Sequence, residues 1–195
     1  MYTCMRTTIL AGLLGFSSIG CSAPQAGITA ADKPKLILYD FTQNREARDW
    51  RVEDDRVMGG VSSGSFRVNE SGNGVFSGTV SLDNNGGFSS VQYFFDPIDI
   101  RGSSTAVIRL KGDGKTYRFL VQSQRRARHY YTYEFGTDGT WQTIRVPLSE
   151  MAPERRGDRL DLPNYPAETL AQLHFMIANK RAESFRLEVG KIWLE

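Results

Sequence analysis

Across residues 36–195, apolar and polar positions alternate in short runs, and Gly, Asn, Asp and Pro break those runs too often for helices of ordinary length. SFRV (65–68) and VFSGTVSL (75–82) flank NESGNG, which reads as a hairpin, and DNNGG (83–87) leads into FSSVQYFF (88–95). Asn and Gly in these positions suit the positive φ angles of tight turns between antiparallel strands. AVIRLKG (106–112) and YRFLVQS (117–123), separated by DGK, predict another hairpin. YYTYEF (130–135), WQTIRVPL (141–148), LHFMI (173–177) and FRLEVGKIWL (185–194) supply further strands. The one helical hint is PAETLAQL (166–173), with Pro166 near an N-terminus, and PERRGDRLDLPNYP (153–166) reads as an irregular surface loop. Roughly ten short strands without alternating helices predict an all-β domain, a single jelly-roll-like β-sandwich of antiparallel strands over residues 36–195.

The N-terminus follows a different pattern. Arg6 gives a positive flank, TTILAGLLGF (7–16) is a short apolar run, and SSIGC brings small residues up to Cys21. Residues 1–20 read as a secretory signal. Ile19, Gly20 and Cys21 resemble the end of a bacterial lipobox, which makes Cys21 the expected lipid-attachment residue and residues 21–35 a small, polar tether. Ser22 after the cysteine resembles the Gram-negative pattern for sorting to the outer membrane. The expected location is therefore the cell envelope, at the outer membrane facing the periplasm, with the membrane reached through the lipid anchor only. With Cys4 leaving in the signal, no cysteine pair remains for a disulfide, and packing alone must stabilise the domain.

Composition narrows the function classes. A chain of 195 residues with 40% hydrophobic content fills one core. The formal net charge is +2, and loss of residues 1–20 removes Arg6 and no acid, which leaves no electrostatic footprint for a nucleic acid. His129 and His174 lie in separate segments without acids at ligand spacing, so no metal site, cofactor or catalytic residue is assigned.

DDRVMGGVSSG (54–64), NNGGFSSVQ, KGDGKTYRF, the Trp before VPL, PERRG and FRLEVGKIWLE occur in one order across nearly the whole mature chain. Together they resemble the complex I intermediate-associated protein 30 family. That resemblance implies a galactose-binding-like β-sandwich and a non-catalytic activity, since eukaryotic members act as assembly factors for respiratory complex I. An exported lipoprotein cannot reach the cytoplasmic arm of that complex, so a different partner is expected here.

DDRVMGG carries two readings. In an extended segment Asp54, Arg56 and Met58 share one face and Asp55 and Val57 the other, so the carboxylates diverge where a glycosidase needs them aimed at one bond. Asp54 and Arg56 are then an ion pair and Asp55 accepts backbone hydrogen bonds in a bend allowed by Gly59 and Gly60; alternatively the three charged groups contact a ligand. DNNGG is a turn, or part of a calcium site. QRRARHYY (124–131) is a solvated loop, or a patch for anionic groups. Tyr131 and Tyr133 share one parity and Tyr130 and Thr132 the other, so one set is buried and the other faces a groove. The candidate binding set is Asp54, Asp55, Arg56, Asn84, Asn85, Tyr117, Tyr131, Trp141 and Arg155. The expected ligand is a protein partner, with a glycan as the alternative. Protein binding predicts an exposed apolar patch, and sugar binding predicts aromatic rings among amides and charged groups.

Overall fold

The computed structural model describes residues 35–195. The signal segment 1–20, Cys21 and the tether up to residue 34 lie outside the described residues. Thirteen strands run in order as β1 (Leu36–Asp40), β2 (Trp50–Asp54), β3 (Ser63–Val68), β4 (Gly74–Val80), β5 (Ser89–Asp99), β6 (Thr105–Lys111), β7 (Thr116–Gln122), β8 (Tyr130–Gly136), β9 (Trp141–Pro147), β10 (Ala152–Arg155), β11 (Asp158–Arg159), β12 (Thr169–Ile177) and β13 (Glu183–Leu194). They form two antiparallel sheets. One has the order β3-β4-β13-β6-β9, with β1 also on β13; the other has the order β11-β10-β8-β7-β12-β5-β2. This is the all-β sandwich that the alternation predicts.

The core lies between the sheets, and bulges explain how the strands keep feeding it. In β13, Phe185, Leu187 and Val189 point inward, and after a register shift around Gly190 the inward set becomes Ile192 and Leu194. One extra residue swaps the parity. Trp50 joins the two layers: its ring lies 5.3 Å from Tyr93 and 6.2 Å from Phe175 in the seven-stranded sheet, and 5.3 Å from Tyr39 and 5.4 Å from Phe66 in the other.

Several sequence expectations change at this level. Within PAETLAQL, residues 169–173 belong to strand β12 and not to a helix: Leu170 and Leu173 both enter the core across a register irregularity, where two steps of β12 from Leu170 to Gln172 face four steps of β5 from Ile98 to Phe94, and the resulting three-residue spacing imitates a helical one. The stretch 153–166 contains the short β10–β11 hairpin. DNNGG and DGK are not hairpin turns, because β4 and β5 belong to different sheets, as do β6 and β7. Asn84, Asn85 and Gly114 do take positive φ, but the bends they make carry the chain across the sandwich. NESGNG is a hairpin, closed by Asn69 and Asn73.

Candidate functional site

The outward face of the seven-stranded sheet collects polar side chains in rows set by the strand register. One row runs Arg51, Gln92, His174, Leu120, Thr132, Ala152 across β2, β5, β12, β7, β8 and β10. Beside it, Phe94, Gln172 and Gln122 lead toward Tyr130 and Glu154. Gln92, Gln122, Gln172 and His174 are all buried although they point away from the core. Buried amides must be satisfied, and these are. Gln122 donates to the carbonyls of Ala127 and His129 (3.0 and 3.1 Å), which draws the 123–129 loop over one end of the face. Gln92 Nε2 donates to the Glu53 carboxylate (2.6 Å), Gln172 Nε2 donates to Gln92 Oε1 (3.2 Å), and the same Gln172 nitrogen contacts His174 Nε2.

Aromatic rings cover this floor. Tyr130 packs on His174 at 4.7 Å, and Phe94 lies edge-on to it at 6.5 Å, with the Arg51 guanidinium 5.8 Å above the Phe94 ring. Burial lowers the His174 imidazole to about 3, so the ring is neutral, and burial followed by the Glu53 charge raises the Tyr130 hydroxyl. Further along, Arg118 pairs with Glu154 (3.1 Å) and Glu134 (3.4 Å). These residues, with Thr132, Ala152 and Arg159, line a cleft of about 180 Å³, and Arg118 and Glu134 also border a second of about 340 Å³ beside Lys115 and Asn179.

A second feature lies at the end of the sandwich where the 54–64 stretch meets the 81–88 loop. The chain is extended only through Asp54; Asp55–Met58 is a 3-10 turn, so the alternation assumed for this stretch stops there. Asp55 is fully buried. Its carboxylate accepts from Ser62 N (2.9 Å), Gly87 N (2.7 Å), Phe88 N (3.3 Å) and the Ser62 hydroxyl. Gly60 is required by this knot, since a Cβ there would fall 2.3 Å from Asp55 Oδ1. Gly60→Ala is therefore expected to cost about 2 kcal/mol by forcing the carboxylate off its donors, measurable as a lower urea midpoint with an unchanged slope. Above the knot, Val57, Met58, Val61 and Leu82 remain 68, 63, 48 and 46% exposed. Ser81 N donates to the Ser62 hydroxyl (3.0 Å), which fixes the two loops side by side.

The residues singled out in the sequence scatter over the molecule. Asp54 and Arg56 do not pair: Asp54 accepts from Gly64 N (3.0 Å) and the Ser89 hydroxyl (2.6 Å), while Arg56 Nε donates to the Ser62 carbonyl (3.3 Å). Asp55 is sealed from any ligand by burial and by its four donors. Tyr117 is a core residue whose hydroxyl donates to Asp113 (2.8 Å), so it too leaves the binding set. Tyr131 packs toward the core against Tyr165 (4.8 Å), and its neighbour Tyr130 takes the outward position. Parity correctly separates the two tyrosines but does not say which set is covered. Trp141 sits on the outside of the six-stranded sheet under Arg109 (5.2 Å), away from the amide floor. Asn84 and Asn85 are exposed on the 81–88 loop, and Arg155 is exposed at the end of β10, opposite Asp158 of β11. Sequence reading missed Gln92, Gln122 and Gln172; their outward parity was visible, but their burial was not.

Comparison with known proteins adds three findings. A family model described as complex I intermediate-associated protein 30 matches residues 39–189. No curated protein matches. Among solved structures, the family 11 carbohydrate-binding module from Clostridium thermocellum in complex with a β-1,3-1,4-mixed-linked tetrasaccharide is 20% identical, with a TM-score of 0.62 over 82% of this chain and 94% of that one. The same family's module of the cellulase Lic26A-Cel5E of Clostridium thermocellum is 20% identical, with a TM-score of 0.63 over 83% and 94%. An agarase contains a similar fold, at 12% identity and a TM-score of 0.54, over 84% of this chain and 24% of that one. Likeness at this identity establishes the shared sandwich.

Proposed function

The chain belongs to the complex I intermediate-associated protein 30 family, and from that premise we propose that it is a non-catalytic module that holds a protein partner on the 55–62 and 81–88 loops. The observation that carries this reading is a group of four apolar side chains left in water above a hydrogen-bonded knot. Flexible loops fold such residues away, whereas here Asp55 fixes the backbone beneath them. Among the described residues, the hydrogen-bond partners of the Asp55 carboxylate are backbone N–H groups and the Ser62 hydroxyl and none is ionisable, which favours binding over catalysis. The proposal includes export and anchoring through Cys21 to the outer membrane on its periplasmic side. Leu36 pairs with Leu194 and the loops lie near Glu183, at opposite ends of β13 and about 35 Å apart. An anchor ahead of Leu36 therefore leaves the loops for another molecule.

The test is capture from envelope membranes with the full chain, a Val57→Asp/Met58→Asp form and an Asn84→Ala control. A partner held by wild type and the control, and reduced at least tenfold by the double substitution at equal melting temperature, supports the loop surface. Equal capture by all three overturns it. A second reading, glycan binding, is favoured by a separate observation: the amide floor covered by Tyr130 and Phe94.

A further inference from the structure

The hydrogen bonds on the sheet face have a fixed direction, because one end is a carboxylate. Glu53 can only accept, so Gln92 must turn its nitrogen to Glu53 and its oxygen to Gln172. Gln172 must then turn its nitrogen to Gln92, and the second proton of that nitrogen faces His174 Nε2. His174 Nε2 is thereby an acceptor. The neutral ring carries its proton on Nδ1, which has no partner among the described residues although His174 is only 1% exposed. Two strands along the same row, about 10 Å away, the Thr132 hydroxyl is also buried without a partner. Unsatisfied buried polar groups are costly in the free domain; of the three such side-chain groups among the described residues, Trp50 Nε1 lies in the core and the other two stand on one row, with Thr132 also lining the 180 Å³ cleft.

We propose that this row is a binding site for a neutral, hydroxyl-rich chain, with His174 Nδ1–H donating to a ligand oxygen, the Thr132 hydroxyl bonding a second, and Tyr130 turning from His174 to stack on the ligand. The proposal goes beyond the loop surface and rests on the glycan reading. Neutrality follows from the charges around the row: Arg51, Arg118 and Arg159 are matched by Glu53, Glu134 and Glu154, and Arg118 is bound by two of these acids. Along the row itself an anionic chain finds no cluster of cations without acids beside it; the further arginines, Arg125, Arg126 and Arg128, lie on the 123–129 loop at one end, where Arg125 pairs with Asp96 (3.7 Å). Glu53 is a positioning residue, since it acts through two glutamines to set the proton on His174.

Three measurements on the full chain test this. A long-range 1H–15N spectrum of the histidines is expected to give the Nδ1–H form for His174, and the Nε2–H form overturns the proposal. An array of neutral glucans, xylans, mannans and galactans, alongside polygalacturonate and alginate, is expected to show binding to a neutral polymer that shifts the His174 Nδ1 signal. Thr132→Val and Glu53→Gln are each expected to weaken that binding about tenfold. Thr132→Val should do so with an equal or higher melting temperature, because it removes an unsatisfied hydroxyl; a purely structural Thr132 would lower it. If wild type binds a neutral polymer and both variants bind as well, the glycan reading stands and this site falls. If only acidic polymers bind, the assignment of a neutral chain falls. If nothing on the array binds, the site and the glycan reading fall together, and the loop surface is untouched.

Discussion

Asp55→Ala is expected to destabilise the domain by about 3 to 5 kcal/mol, lowering the melting temperature by on the order of 10 °C. The substitution strips three backbone N–H groups, those of Ser62, Gly87 and Phe88, of their acceptor, and the Ser62 hydroxyl loses its own. Asn is not a substitute, because its amide turns two protons toward a site made of donors. The effect depends on pH with a definite sign. Burial pushes the Asp55 carboxyl up, but the bonds from Ser62, Gly87 and Phe88 together hold it below 3.8. The folded state therefore resists protonation more than the unfolded chain. Its extra stability is complete above the unfolded value and is lost as pH falls through the lower, folded one. Urea unfolding of wild type and Asp55→Asn between pH 7 and pH 2 measures this. The two curves should approach each other at the acid end, and a constant gap across the range would sink the account.

Trp50→Ala should cost about 4 kcal/mol, since it empties the volume where aromatic rings of both sheets meet. Trp50→Phe keeps a ring between Tyr93 and Phe66 and should cost about 1 to 2 kcal/mol. Because β2 is an edge strand paired only with β5, the cavity can be relieved by fraying of β2. Hydrogen exchange should then show the amides of β2 and its β5 partners opening before the rest. A loss spread evenly over both sheets would mean that Trp50 serves as general filling and not as the joint between layers.

Much of the strand pattern was legible from residues alone, because alternation is a local property of a half-buried strand. FRLEVGKIWL reads as a strand and is one, even with its parity swapped at Gly190. LAQL reads as a helical turn and is not, because a bulge mimics the spacing. The 54–64 stretch shows the same division. Its bend is visible in the glycine pair and its buried acid is not, since Asp55 is held by Gly87 and Phe88 from more than thirty residues away.

By itself, the sequence determined the fold class, most strand positions, the positive-φ bends and the two parities of YYTY, all of which depend on neighbours along the chain. Only the tertiary structure decided which sheet each strand joins, that DNNGG and DGK cross between sheets, that Tyr130 and not Tyr131 faces outward, and that three glutamines and His174 share a buried floor. Turn letters set backbone angles without naming the strand's eventual partner, and parity names two faces without saying which one another layer will cover. Those choices belong to contacts between segments far apart in the chain, where burial is decided.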